Sequence, residues 1–280
     1  MILMKKLCYK SISHIKVNAL ACQIRGEEPV TKRIRKLFFR RCFLEPAGRM
    51  RYDFDFPKNP VQISFLFLKE IKEFMLKIWG RANSVNVQKA VWAAAETGVS
   101  FERVDAGMAF GKNNEDWYLE LNPNGKIPLL EHEGFSLWES NVIVRYLCQT
   151  YSMGKLCPEE VELRFLAEQW MDWTVSELGP AMHPVFWGLV RTPPEKRKQQ
   201  AIESGIKACI RLFTMLDKHL QQLGFVCGSD FTMGDIPAGA MAYRWFNMEI
   251  DRPALEALQE WYEKLLERPA YREHVVMPLT

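Results

Sequence analysis

The sequence predicts a small α/β domain followed by an all-α domain, and two observations carry that reading. Between residues 75 and 151, four short apolar runs alternate with helix-length segments. Beyond Tyr151 the strand signals stop, and each long segment carries apolar residues at helical spacing. With 280 residues, 48% of them hydrophobic and 25% charged, the chain is long enough for real cores and ordinary in its globular balance.

Taken in order, "LKIW" at 76–79 is a short apolar run closed by Gly80, which reads as a buried strand. "VNVQKAVWAAAETG" at 85–98 reads as a helix: Ala90, Val91, Ala94 and Ala95 share a face, and Gly98 suits the C′ position. Val99 to Val104 is a second strand. A strand–helix–strand crossover implies parallel pairing. The polar stretch "GKNNEDWYLELNPNGK" reads as a loop with dense turn chemistry in "NPNG". Two strands follow, 127–131 and 135–138, joined by "EHEG", and then a helix over 139–151 with Val142, Ile143, Tyr146 and Leu147 on one face.

"SMGKLCPEE" is a linker. After it, "EEVELRFLAEQWMDWTVSELGPAM" is amphipathic and interrupted by Pro180 and Pro184. "PPEKRKQQAIESGIKACIRLFTMLDKHLQQLG" runs from a proline start to a stop at Gly224. "MGDIPAGAMAYRWFNME" and "PALEALQEWYEKLLERP" complete the helical part. The expected boundaries are 75–153 for the α/β domain and 159–280 for the helical one.

Residues 1–74 read differently. They hold 16 Lys and Arg against 7 Asp and Glu, a net of +9, whereas 75–280 hold 21 against 27, a net of −6. They show no sustained period and form a basic, irregular extension. Three readings compete: a targeting segment, a basic arm for nucleic acid or membrane, and a stretch outside the natural protein. The third is favoured. Met75 stands just before a well-patterned strand, and "KEIKEF" ahead of it could be translated from a ribosome-binding sequence. Intact mass of protein from the native gene decides it, since a mass matching 1–280 would reject a start at Met75.

The mildly acidic remainder disfavours nucleic-acid binding, which needs basic surface. No apolar run reaches transmembrane length. Seven scattered cysteines without a Cys-x-x-Cys pair point to a reducing, cytoplasmic compartment, and five dispersed histidines offer no metal site.

The chemistry concentrates in "GKIPLLEHEGFSLWESNVI" (125–143). Pro128 cannot donate to a sheet ladder, so it belongs at a strand start or an edge. A cis Ile127-Pro128 bond is the sharper reading. It would leave the N–H and C=O of Ile127 free to pair with an extended peptide. Glu139 and Ser140 fit helix capping. They also fit a carboxylate-binding corner, where Ser140 and exposed N–H groups take an anion and Glu139 accepts from an ammonium group. A ligand with an amino-acid end and an extended peptide body satisfies both places.

That ligand describes glutathione, and residues 75–280 resemble the cytosolic-type glutathione transferases, in particular the bacterial ones. The resemblance rests on "NPNGKIPLLEHEGFSLWESNVIVRYL", "IWGRANSVNVQKAVWAAAETG" and "FTMGDIPAGA", and covers about three quarters of the chain. It implies a thioredoxin-like N-terminal domain, an α-helical C-terminal domain, a homodimer and a role in detoxification. It further implies that Ile127 pairs with the cysteinyl backbone of glutathione, that Pro128 is cis, and that Glu139 and Ser140 hold the γ-glutamyl end. Lys126 is a weaker carry-over as a partner for a glutathione carboxylate, and Trp117 a candidate for lining the site. No metal is implied, and glutathione is the co-substrate.

Thiol attack on an electrophile needs a donor beside the sulfur and a positive helix end. The turn before the first helix, Arg81-Ala82-Asn83-Ser84-Val85-Asn86, holds neither tyrosine nor cysteine. Ser84 is the first choice as thiol activator, because Ser-x-Asn-x-x-Lys resembles the serine-type pattern, with Asn83 and Asn86 close alternatives. Simple N-capping by Ser84 is the competing reading. Thr232 and Asp235 have capping-box spacing and read as a folding signal. Trp173, Trp187 and Tyr243 are candidates for an apolar second-substrate wall, although aromatic residues at helical spacing also serve as core. A glutathione-dependent peroxidase or disulfide reductase, and a non-catalytic binding protein, are the alternatives.

Overall fold

The computed structural model of the chain describes residues 41–44, 50–53 and 76–280. The chain divides into two units, Met1–Ile71 and Lys72–Thr280. In the first, β1 (Arg41–Leu44) pairs antiparallel with β2 (Met50–Asp53). This short ladder lies where the sequence shows no sustained period. The rest of the reading of 1–74, including a start at Met75, lies outside the described residues.

In the second unit, β3 (Leu76–Trp79) leads through α1 (Val85–Thr97) to β4 (Phe101–Val104), which pairs with β3 in parallel as the crossover requires. The sheet order is β4-β3-β5-β6, with β5 (Leu129–His132) antiparallel to both β3 and β6 (Phe135–Trp138). Leu76 and Ile78 alternate inward. α1 ends on Gly98 in the left-handed region at φ 74, and its N–H donates to the Ala95 carbonyl. α3 (Ser140–Tyr151) packs on α1.

The fold departs from expectation in five places. The strand expected over 127–131 begins at Leu129, because Ile127 and Pro128 lie outside the ladder. The polar loop contains a short helix, α2 (Asp116–Leu121), held by fully buried Tyr118, whose hydroxyl donates to the Lys126 carbonyl at 2.8 Å. The Asn122 side-chain amide donates to the same carbonyl at 2.7 Å. The loop chemistry thus fixes the approach to Pro128.

In the helical part, Pro180 and Pro184 do not break the first helical run. α4 (Val161–Trp173) passes into a π-turn at Thr174–Leu178, then α5 (Gly179–Phe186), then a second π-turn at Trp187–Arg191. A proline lacks the N–H that an interior α-turn needs, and a wider turn accommodates that loss. α6 (Gln199–Leu220) starts well after the proline pair, which instead enters a 3-10 turn at Pro194–Lys196. α7 (Asp235–Asn247) and α8 (Glu256–Glu267) follow the sequence pattern, and α9 (Pro269–His274) is an addition to it.

The expected capping box opens α7. The Asp235 carboxylate accepts the Thr232 N–H at 2.9 Å, while Thr232 Oγ1 accepts the Gly234 N–H at 3.3 Å. Fully buried Asp235 also accepts from Val226 N–H at 3.0 Å and Trp261 Nε1 at 2.9 Å. Burial pushes its carboxyl up to about 6, against the pull of those donors.

Candidate functional site

Three segments of the α/β part meet at one end of the sheet. Gly80 ends β3, and its N–H donates to the Val104 carbonyl at 2.8 Å. A Cβ on Gly80 would fall 2.3 Å from Val87 Cγ2 and 3.3 Å from Ile127 Cβ, so only glycine lets the turn at 80–84 pass this close to Ile127. In the β5–β6 ladder Leu129 faces Trp138. Pro128 precedes β5 at that pair and Glu139 follows β6, with Ser140 opening α3. The register therefore brings the segments that carry the sequence-predicted residues to the same end of the β5–β6 ladder.

The Ile127-Pro128 bond is cis. Among the described residues, neither the N–H nor the C=O of Ile127 has a hydrogen-bond partner in the protein. Glu139 is exposed and sits at φ 71, a left-handed conformation unusual for a side chain of its size, at the start of α3. Ser140 beside it is buried. The neighbouring Asn141 donates to the Met171 carbonyl at 2.7 Å and so ties the head of α3 to α4.

The turn before α1 separates its three polar candidates. Asn83 Nδ2 donates to Thr280 Oγ1 at 2.5 Å. Exposed Asn86 accepts from Lys89 Nζ at 3.1 Å through its side-chain oxygen. Ser84 is buried at the N-cap position, yet its hydroxyl makes no bond to the helix. The side-chain capping that competed with a catalytic reading is therefore not formed, and the hydroxyl stays available at the positive end of α1.

Lys126 is exposed, with its carbonyl fixed by Tyr118 and Asn122. Half-buried Trp117 packs on Trp79 with ring centroids 4.9 Å apart, and its Nε1 donates to Glu115. In the helical part, Trp173 packs edge-on against Trp170. Tyr243 is buried, and its hydroxyl donates to the Met277 carbonyl at 2.7 Å. Trp187 is 40% exposed and lies under the Arg191 guanidinium, 4.8 Å from its ring centroid. Of the three aromatic candidates, Trp187 combines exposure with a charged neighbour.

The charged neighbours are what the sequence reading passed over. Arg191 and Arg244 both lie over the Phe186 ring, at 5.0 Å and 3.7 Å. Arg191 donates through Nε and Nη2 to a main-chain oxygen of Thr280 at 3.1 and 2.9 Å, and Thr280 also receives Asn83 through its hydroxyl. Thr280 thus bridges the π-turn at 187–191 to the turn before α1. Burial, and then the charges of Arg191 and Arg81, pull Arg244 down to about 9. Burial, then Arg244, pull Lys89 down to about 8, partly offset by Glu139. Arg244 could have been noticed as a lone charge inside the apolar run "AMAYRWF", and Arg81 as the cation opening the turn. Nothing in "WGLVRTPP" marks Arg191.

A family model described as glutathione S-transferase, N-terminal domain, matches residues 75–149, and one described as glutathione S-transferase, C-terminal domain, matches residues 199–264. Among curated proteins, the chain is 40% identical over 208 residues to glutathione S-transferase GstB of Escherichia coli, covering 74% of this chain and 100% of that protein. It is 26% identical over 199 residues to disulfide-bond oxidoreductase YfcG of the same species, covering 68% and 89%. The theta class glutathione S-transferase of Xanthomonas axonopodis pv. citri, solved with glutathione bound, is 44% identical with a TM-score of 0.71, covering 73% of this chain and 99% of that one.

Proposed function

The chain belongs to the glutathione S-transferase family, and from that premise we propose how it performs glutathione transfer. The observation that carries the assignment of roles is the hydroxyl of Ser84, a largely buried residue, unpartnered among the described residues at the N-terminus of α1. A glutathione thiol has a pKa near the ordinary value of about 8.5. A hydroxyl donor and the positive end of a helix favour its thiolate. Ser84 donates to the sulfur, and Asn86 and Asn83 support the turn that holds it. The thiolate then attacks the electrophilic carbon of a second substrate.

Glutathione lies along the free main chain of Ile127, whose N–H and C=O pair with the cysteinyl unit as an added strand. Ser140 and the exposed N–H groups at the head of α3 take the γ-glutamyl carboxylate, and Glu139 accepts from its ammonium group. Lys126 faces a glutathione carboxylate. Trp187 contributes apolar wall. The enzyme works as a cytoplasmic homodimer. Support comes from large apolar side chains left exposed on neighbouring elements, Phe135 on β6, Val142 on α3 and Phe165 on α4, and sedimentation at twice the chain mass is the result that agrees.

Disulfide reduction is not favoured, since no cysteine stands in the turn at 81–86. Calorimetric titration of the full chain with glutathione tests the site. Binding by the unaltered protein that Glu139→Ala/Ser140→Ala abolishes is expected. Equal binding by both would remove these two residues from the site.

A further inference from the structure

Glutathione does not account for all the positive charge at this site. It carries two carboxylates and one ammonium group. The proposed partners for these, Ser140, Lys126 and Glu139, all belong to the segment 126–140. Arg81, Lys89, Arg191 and Arg244 are in excess of that set. None of the four forms an ion pair with Asp or Glu among the described residues.

Two of these cations are well buried, Lys89 at 2% exposure and Arg244 at 8%. Arg81 Nε is buried with no hydrogen-bond partner among the described residues. Burying cations without counter-charge costs several kcal/mol unless something pairs with them. Like charges held together add to that cost. The carboxylate of Glu139 bears on Lys89, and Arg191 is held by a main-chain oxygen of Thr280, which leaves Arg81 and Arg244 as the uncompensated part.

Their arrangement suits a small anion. The guanidinium carbons of Arg191 and Arg244 lie over the Phe186 ring, and that of Arg191 also over Trp187. A ring face makes no hydrogen bond, so a guanidinium held over one still has N–H donors to offer a carboxylate. The Arg244 side chain makes no hydrogen bond among the described residues, whereas Arg191 spends two donors on a main-chain oxygen of Thr280. Arg81 reaches the same place from the other side. Its main chain lies in the turn that presents Ser84, and its Nη1 comes within 3.5 Å of the point where a Cβ on Gly107 would stand, beside Ile127. The set therefore lies between the proposed thiol donor and the helical wall, where a second substrate has to enter.

We propose that the second substrate is a small electrophile bearing a carboxylate, held by Arg81, Arg191 and Arg244 with its reactive carbon toward the sulfur. This rests on the glutathione transferase reading above and narrows the expected apolar substrate to an anionic one. In the reaction the thiol proton passes to solvent as the thiolate forms. The thiolate sulfur bonds to the carbon next to the carboxylate, and the leaving group departs as an anion with the bonding electron pair. No oxidant or reductant enters. The guanidinium groups hold the carboxylate and offset its repulsion toward the incoming thiolate.

The test compares iodoacetate with iodoacetamide, similar in size and leaving group but different in charge. Initial rates with glutathione and the full chain are corrected for the uncatalysed reaction of each. The unaltered enzyme is expected to accelerate iodoacetate roughly tenfold or more beyond its acceleration of iodoacetamide, the scale of a charge-assisted hydrogen bond or two. Arg81→Gln and Arg191→Gln are each expected to collapse that ratio, with Arg81→Lys and Arg191→Lys retaining part of it. Both arginines are only half-buried, so these variants avoid disturbing the core around Arg244. A ratio near one, or a ratio unmoved by all four substitutions, overturns the proposal. Calorimetry with glutathione on the same preparations separates the two levels: glutathione binding with no charge preference rejects the anionic substrate alone, whereas no binding and no turnover of either reagent rejects the transferase reading and this proposal with it.

Discussion

On the α/β side of the site, Ile127, Glu139 and Ser140 present main-chain groups, one short hydroxyl and one carboxylate, fixed by a cis proline and a left-handed residue. On the helical side, Phe186 and Trp187 lie under arginine guanidinium groups with few partners. The first surface is set by backbone geometry, which tolerates little change in the chain around it. The second is set by long side chains on helices, which can be exchanged while the helices stay where they are. A common co-substrate and a variable partner would be expected to use the two surfaces in just this division.

The helical side depends on how α7 is anchored, and there the largest effect is expected. Asp235→Ala removes the acceptor for Thr232 N–H, Val226 N–H and Trp261 Nε1 together. Each buried donor left unmet costs about 1–3 kcal/mol. The sum should lower unfolding stability by about 4 kcal/mol or more in urea titration, offset somewhat because the native carboxylate is itself expensive to bury. A loss below about 1 kcal/mol would mean that α7 is held by packing alone, and that the comparison has only one rigid side.

The α/β side is probed by Ser84→Ala. Removal of a single preorganised donor to a developing or standing anion lowers kcat by roughly 100-fold or more. The ultraviolet absorbance of bound thiolate should decline at neutral pH in parallel, and its titration should move to higher pH. An unchanged thiolate titration would pass the role to Asn86 or to the cations around the turn.

How much of this was legible in the sequence follows the same division. Gly98, Pro128, Glu139-Ser140 and the Thr232–Asp235 pair each answer a local backbone demand, so their spacing announces them. The β-α-β order and the parallel pairing of β3 with β4 follow from connection rules. α2 escaped because its six residues are too few for a period, and what holds it is Tyr118 reaching a carbonyl eight residues on. The π-turns around Gly179–Phe186 escaped because a proline reads as an interruption, while the structure widens the helix instead. Arg81, Arg191 and Arg244 are 110 and 53 residues apart along the chain, and only the tertiary fold shows that they converge on one place.

Lys89 belongs to both surfaces, since it stands on α1 while facing Arg244 and Glu139, and it supplies the finest test. Burial, reinforced by Arg244 and opposed by Glu139, brings its ammonium down to about 8 from the ordinary 10.5. Between those two pH values the unfolded chain binds a proton that the native protein has released. Stability therefore rises with pH across that window, by at most about 1.4 kcal/mol per unit. Below pH 8 both states are protonated and the full cost of burying the charge is present. Lys89→Met removes the titration, so the stability difference between the unaltered protein and the variant should move in favour of the former from pH 8 toward pH 10. A difference that stays flat would mean that a counter-charge holds Lys89 protonated, and Glu139 would then be paired with the protein and not free for the ammonium group of glutathione.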